Sequence, residues 1–252
     1  MLPHDDTGSG PALILLHAGI ADRRMWAEQL EPLAAAGHRV VAVDMPGFGE
    51  AGPAQDAFAP WNDVLATMDT LEIERAALVG VSFGGDVALR VPLVAPERVT
   101  ALVLCGARAP GVEPSDELRA AWQAEEEALE RGDVEAAVAA IVDAWTLPGA
   151  PGELRDLVAA MQRRAFELQA GESGDEAPDP LDERPDALAT LAVPVLAAAG
   201  ELDKPDFVAG AEALAEALPD GRHATIAGAG HLAPLETPAE FRALVLEFLR
   251  GR

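Results

Sequence analysis

Ala76–Asp86 reads AALVGVSFGGD. Its first six residues are apolar on both faces, as a strand buried inside a parallel sheet requires. The strand then runs into Gly80-Val81-Ser82-Phe83-Gly84, followed by Gly85, and a helical pattern begins near Asp86. G-x-S-x-G between a strand and a helix places the serine in a sharp, strained turn, and small neighbours let strand and helix approach each other. Such a turn lifts the hydroxyl above the sheet and aims the amide of the next residue at one point in space. Ser82 is thus a candidate nucleophile, and the Phe83 N–H a candidate donor to an oxyanion.

Outward from this stretch, short apolar runs repeat. Pro11–His17, Arg39–Asp44, Val99–Cys105 and Val193–Ala199 read as strands, with a weaker one at His223–Ile226. Between them lie helical stripes: Trp26, Leu30 and Leu33; Trp61, Leu65 and Met68; Phe207, Ala211, Leu214 and Leu218; and Phe241, Leu244, Val245, Phe248 and Leu249. The alternation predicts an α/β fold with a doubly wound, mostly parallel sheet. Residues 110–185 break it. They show three helical stripes and no strand: Leu118, Trp122 and Leu129; Val134, Val138, Ile141 and Trp145; Leu154, Val158, Met161, Ala165 and Leu168. The expected division is a core of residues 1–109 and 186–252 carrying a helical cap at 110–185. The cap ends in Gly171–Asp186, with seven acidic residues against one arginine, a composition that predicts a mobile loop.

Three more motifs follow strands. His17-Ala18-Gly19 comes after ALILL, and Gly19 is the expected second oxyanion donor, with the His17 ring bonding loop backbone. Gly200-Glu201-Leu202-Asp203 places a carboxylate beyond a strand end, with Asp206 as its nearest competitor. Gly228-Ala229-Gly230-His231 sits before the last helix, in a glycine-rich loop able to turn the ring over the sheet. In this reading His231 takes the proton of Ser82, and Asp203 holds the imidazole in the right tautomer.

Composition narrows the partners. A formal charge of −25 repels phosphate backbones, so no nucleic-acid partner is expected. The acidity reads as a repulsive, solvated surface, or as adaptation to high salt. The single cysteine, Cys105, allows no internal disulfide and lies in an apolar run. No stretch is long enough to span a membrane, and the first residues lack the pattern of a secretion signal, so a cytoplasmic protein is expected. No metal cluster or phosphate loop is visible, and no cofactor is expected.

The four motifs together resemble the α/β-hydrolase superfamily, whose chain order is serine, acid, histidine. LLHAGIADRRMW (15–26) is similar to its oxyanion loop, VVAVDMPGFGE (40–50) to its D-x-P-G-x-G turn, LVGVSFGGDVAL (78–89) to its elbow and GAGHLAPLETP (228–238) to its histidine loop. The closest look is to serine esterases and 3-oxoadipate enol-lactonases with a helical cap. Two departures stand out: the N-terminal strands look reduced, and the family's His-Gly is His17-Ala18 here. A serine at the elbow argues against the aspartate-dependent dehalogenases and epoxide hydrolases of this fold, while its carbon–carbon hydrolases also use serine.

The resemblance implies cleavage of a small ester or lactone, with carbon–carbon hydrolysis and a non-catalytic ligand-binding scaffold as alternatives. Oligomeric state is left open. Pocket walls are expected from Gly19 to Arg24, Phe83, Arg108, the cap and Leu232, with Trp26, Trp122 and Trp145 as apolar contacts or as helix packing. Arg108, just past the strand ending at Cys105, suits a substrate carboxylate or a surface ion pair.

Overall fold

The computed structural model describes residues 1–53, 57–109, 112–170, 177–184 and 186–251. In chain order its strands are β1 (His4–Gly8), β2 (Ala12–Leu16), β3 (Arg39–Val43), β4 (Ala76–Val81), β5 (Val99–Cys105), β6 (Val195–Gly200) and β7 (Gly221–Ile226). The helices are α1 (Ala27–Ala35), α2 (Pro60–Thr70), α3 (Phe83–Val94), α4 (Asp116–Glu130), α5 (Val134–Trp145), α6 (Gly152–Gln169), α7 (Pro180–Glu183), α8 (Ala187–Thr190), α9 (Pro205–Ala217), α10 (Ala233–Glu236) and α11 (Pro238–Leu249). Among the described residues no helix is long and apolar enough to cross a membrane.

All seven strands form one sheet in the order β1-β3-β2-β4-β5-β6-β7. Every pairing is parallel except β1 with β3. After β2 the chain moves outward to β3, then returns to the other side of β2 as β4. The strand order therefore reverses between β2 and β4, and ligand crevices in such sheets open beyond the strand ends at that point. The loop carrying Gly19 leaves β2 there, and Ser82 leaves β4.

Successive side chains fill two separate layers. Ile14, Leu16, Val41, Val43, Leu78 and Leu104 pack on the face with α2, α3 and α9. Leu13, Leu15, Val40, Val79, Val103 and Phe241 pack on the other. The polar leader holds a strand that its sequence did not announce. β1 keeps its side chains largely outside, and its acids meet Arg39 and Arg23. An edge strand needs no buried face, and charge on it discourages pairing with another sheet.

Between β5 and β6 the described residues up to Gln169 hold the three helices α4, α5 and α6 and no strand, and the expected boundary residues Pro110 and Pro185 lie outside the described residues. The acidic loop needs correction. Residues 171–176 lie outside the described residues, but 177–184 include the short helix α7 and are tied to the core by hydrogen bonds. The Arg90 Nε donates to both oxygens of Asp179 at 3.0 and 2.9 Å, the Ala177 N–H to the Phe58 carbonyl, and the Arg184 guanidinium to the Leu93 carbonyl. Two arginines thus hold down a stretch whose composition alone suggests solvation.

Candidate active site

The turn after β4 is fixed by backbone contact. Ser82 has φ 52° and ψ −120°, a left-handed conformation that costs a non-glycine residue energy. A Cβ on Gly80 would lie 2.2 Å from the Gly84 carbonyl oxygen, and one on Gly84 would lie 2.2 Å from that of Leu16. Side chains at these offsets would push α3 off the sheet. The Ser82 N–H donates to the Cys105 carbonyl at 2.8 Å, and the Gly85 and Asp86 amides donate to the Ser82 carbonyl, which starts α3. The Phe83 amide opens this helix, where N–H groups have no acceptor within the helix and the dipole favours negative charge.

Beyond β6 and β7 a second pair forms. His231 Nδ1 lies 3.1 and 3.0 Å from the two oxygens of Asp203. The two side chains are only 5 % and 1 % exposed. A carboxylate at Nδ1 makes that nitrogen the donor and leaves Nε2 the lone pair. The Lys204 amide donates to Asp203 Oδ1 at 2.8 Å, and the Gly230 amide to Glu236 Oε2 at 2.7 Å, so both loops are braced. Trp145 and Phe207 flank the imidazole with ring centroids 4.6 and 4.3 Å away. Asp206 faces elsewhere: it accepts from the Ser115 amide at 2.6 Å and the Ser115 hydroxyl at 2.7 Å.

The His17 ring bonds backbone on both sides. Its Nδ1 lies 2.9 Å from the Ala18 carbonyl, and the Met45 amide donates to Nε2 at 3.0 Å. Burial holds its pKa below the usual histidine value, so the ring stays neutral. Ala18 does not need a left-handed backbone here, so its methyl is tolerated where the family has glycine.

Ser82, His231, Gly19 and Phe83 line one cavity of about 300 Å³, with Arg108, Trp122 and Trp145 also in its wall. The Arg108 guanidinium lies over the Trp122 ring at 5.3 Å. Two expected contacts fail. Trp26 is fully buried in the layer with Phe241, and Leu232 is buried in the same layer; neither lines the cavity. Periodicity shows that a helix face is buried, but not against which layer. The cavity also takes side chains that the sequence did not single out: Asp86, Glu125, Gln162, Phe48 and Phe207. Phe48 had a signal in the D-x-P-G-x-G turn, and Asp86 in lying one helical turn beyond Ser82. Desolvation pushes the Asp86 carboxyl up to about 6, drawn partway back by Arg90 and Arg108. Burial also raises Glu125 above the usual carboxylate range.

Comparison with known proteins agrees with this architecture. Residues 11–238 match the family described as alpha/beta hydrolase fold, and the chain belongs to that family. The 2-hydroxymuconate semialdehyde hydrolase of Pseudomonas sp. (strain CF600) is 38% identical over 123 residues, 46% of this chain and 44% of that protein. A 2-hydroxy-6-oxononadienedioate/2-hydroxy-6-oxononatrienedioate hydrolase of Burkholderia vietnamiensis is 43% identical over 114 residues, 41% of this chain and 38% of that protein. The matched stretch thus spans less than half the length of these relatives. Among solved structures, a thermophilic esterase from Thermogutta terrifontis superposes with TM-score 0.79 at 26% identity, covering 99% of this chain and 93% of the other. The enol-lactonase from Burkholderia xenovorans LB400 shares the fold, with TM-score 0.77 at 24% identity over 98% of this chain and 96% of the other. These relatives and neighbours are hydrolases.

Proposed function

We propose that this protein cleaves a small carboxylic ester or lactone through an acyl-enzyme intermediate. The observation that carries the reading is a serine held at positive φ in the same cavity as an imidazole whose Nδ1 is bonded by a buried carboxylate. His231 Nε2 takes the Ser82 proton as Oγ attacks the carbonyl carbon. The tetrahedral oxyanion draws on the Phe83 and Gly19 amides, each such donor being worth about 3–4 kcal/mol. His231 then protonates the leaving alkoxide, and a water activated by the same ring hydrolyses the ester on Ser82. Asp203 stabilises the imidazolium in both halves. The helices α4–α6 act as the cap, which places Trp122, Trp145 and Glu125 over the reacting group.

Arg108 is read as the carboxylate anchor. It faces the cavity and stacks on Trp122, with no hydrogen bond or ion pair to any described residue. A guanidinium so placed is available to a substrate anion. Carbon–carbon hydrolysis is the second reading, favoured by the activities named for the matched relatives.

Two measurements test the proposal. A fluorophosphonate should label Ser82, and a protein that resists it is not a serine hydrolase. In a panel of esters, lactones and dienoate ketones, Arg108→Leu should raise KM about 10-fold or more for substrates bearing a carboxylate, and far less for neutral esters of equal size. Equal effects on both would remove Arg108 from the substrate site. Preferential turnover of the dienoate ketones would replace ester cleavage with carbon–carbon cleavage.

A further inference from the structure

The cavity around Ser82 contains a polar group that acyl transfer does not use. Gln162 lies on α6, is 3 % exposed, and lines the same wall as Ser82 and His231. Its Oε1 has no hydrogen-bond partner among the described residues. Buried acceptors in folded proteins are paired almost without exception, since an unpaired one loses its hydration and gains nothing in return.

Nothing about the helix forces this arrangement. Val158, Met161, Gln162 and Ala165 fall on one face of α6, and the other three are at most 1 % exposed. An apolar side chain at 162 would complete that stripe. Nor can the glutamine swing out with a tilt of the helix, because α6 is tied to the sheet loops on both sides of it. The Asp22 amide donates to Met161 Sδ at 3.4 Å, the Arg164 Nε to the Gly49 carbonyl at 3.1 Å, and the Gln169 Nε2 to the Gly47 carbonyl at 3.2 Å. The oxygen is enclosed and has no partner among the described residues, on a side chain that lines the reaction cavity.

We propose that Gln162 is a specificity-determining residue, and that its carboxamide turns toward the cavity so that Oε1 accepts a hydrogen bond from the substrate. The preferred substrate is then an ester or lactone carrying a donor away from the scissile carbonyl, either a hydroxyl or an amide N–H. This rests on the ester or lactone reading given above. A site built to bond a substrate donor discriminates against the analogue that lacks it, because the analogue leaves the buried group unpaired. A substrate donor that pairs with Gln162 supplies the bond that no described residue makes.

The experiment compares kcat/KM for three esters with one leaving group: p-nitrophenyl butyrate, its 3-hydroxy derivative and p-nitrophenyl N-acetylglycinate. The wild-type protein should favour one or both donor-bearing esters over the butyrate by about 10- to 100-fold. Which of the two is favoured separates the hydroxyl from the amide N–H. Gln162→Met, close in length and without an acceptor oxygen, should bring that ratio to about 1, whereas Gln162→Glu, which keeps an acceptor, should retain most of it. Turnover of all three esters by the wild type without a preference overturns the role of Gln162 and leaves the ester reading standing. So does a ratio that Gln162→Met leaves unchanged. A wild type that turns over none of them and is not labelled at Ser82 overturns both.

Discussion

The floor and the roof of the cavity are built by different means. The floor, at the ends of β2, β4, β6 and β7, is held by main chain against main chain. Gly80 and Gly84 admit no Cβ, Ser82 is bonded to Cys105, and the Leu202 amide donates to the Ala229 carbonyl at 2.8 Å. The roof, α4 to α6, is held largely by side chains. Ser115 bonds Asp206, Lys204 Nζ donates to the Ala144 carbonyl at 2.8 Å, and Arg108 rests on Trp122. Backbone contacts of this kind tolerate almost no substitution, whereas side-chain ties can be exchanged one at a time. In the proposed function the floor carries the chemistry and the roof the choice of substrate.

The sharpest test sets two aspartates three residues apart against each other. Asp203→Asn, on the floor, should lower kcat roughly 10⁴-fold, because the amide favours the wrong imidazole tautomer. Asp206→Asn, which touches only the anchor of α4, should change kcat less than about 10-fold and show its effect in KM. Steady-state kinetics of the pair reads this directly. Comparable losses from both would erase the distinction between floor and roof.

The next effect is on stability. Gly84→Ala puts a methyl against the Leu16 carbonyl and should cost about 3 kcal/mol or more, read by urea denaturation. Ala121→Gly, in the middle of α4, should cost only about 1 kcal/mol. If the two losses matched, the floor would have more slack than its geometry implies.

The smallest effect comes from Asp86, on the floor but facing the roof. Its folded-state pKa of about 6 lies above the ordinary value of 3.8, chiefly through desolvation. Below about pH 3 the group is protonated in both folded and unfolded chains and adds almost nothing. As pH rises from about 3 to 6 mainly the unfolded chain ionises, so stability falls, and well above 6 the whole penalty is present. Asp86→Asn should thus stabilise the protein by about 1–3 kcal/mol at pH 8 and by almost nothing at pH 3. A gain that is equal at both pH values would reassign the effect to packing.

What was legible in the sequence follows the same division. The floor was readable because a steric demand for glycine leaves its mark at fixed offsets, at Gly80 and Gly84 around Ser82 and at Gly228 and Gly230 before His231. The roof was readable only as helices. Val158, Met161 and Ala165 announced the buried face of α6, but a glutamine beside them reads as an outward residue, and only the fold shows Gln162 turned inward. Trp26 was misplaced for a related reason. It lies just past a loop that borders the cavity, and its ring turns instead to the far layer against Phe241. β1 was hidden because an edge strand bonded on one side has no need of apolar alternation.

The indole of Trp145, its centroid 4.6 Å from that of the His231 ring, gives the protein an optical readout of its own. A protonated imidazole in contact with an excited indole quenches its emission, and a neutral one does so far less. The fluorescence lost on replacing Trp145 with phenylalanine isolates the emission of the indole that touches this ring. Followed in a stopped-flow instrument after mixing with an ester, that emission should dip and recover within a turnover if the ring takes and returns a proton as proposed, with no chromophore attached to the substrate.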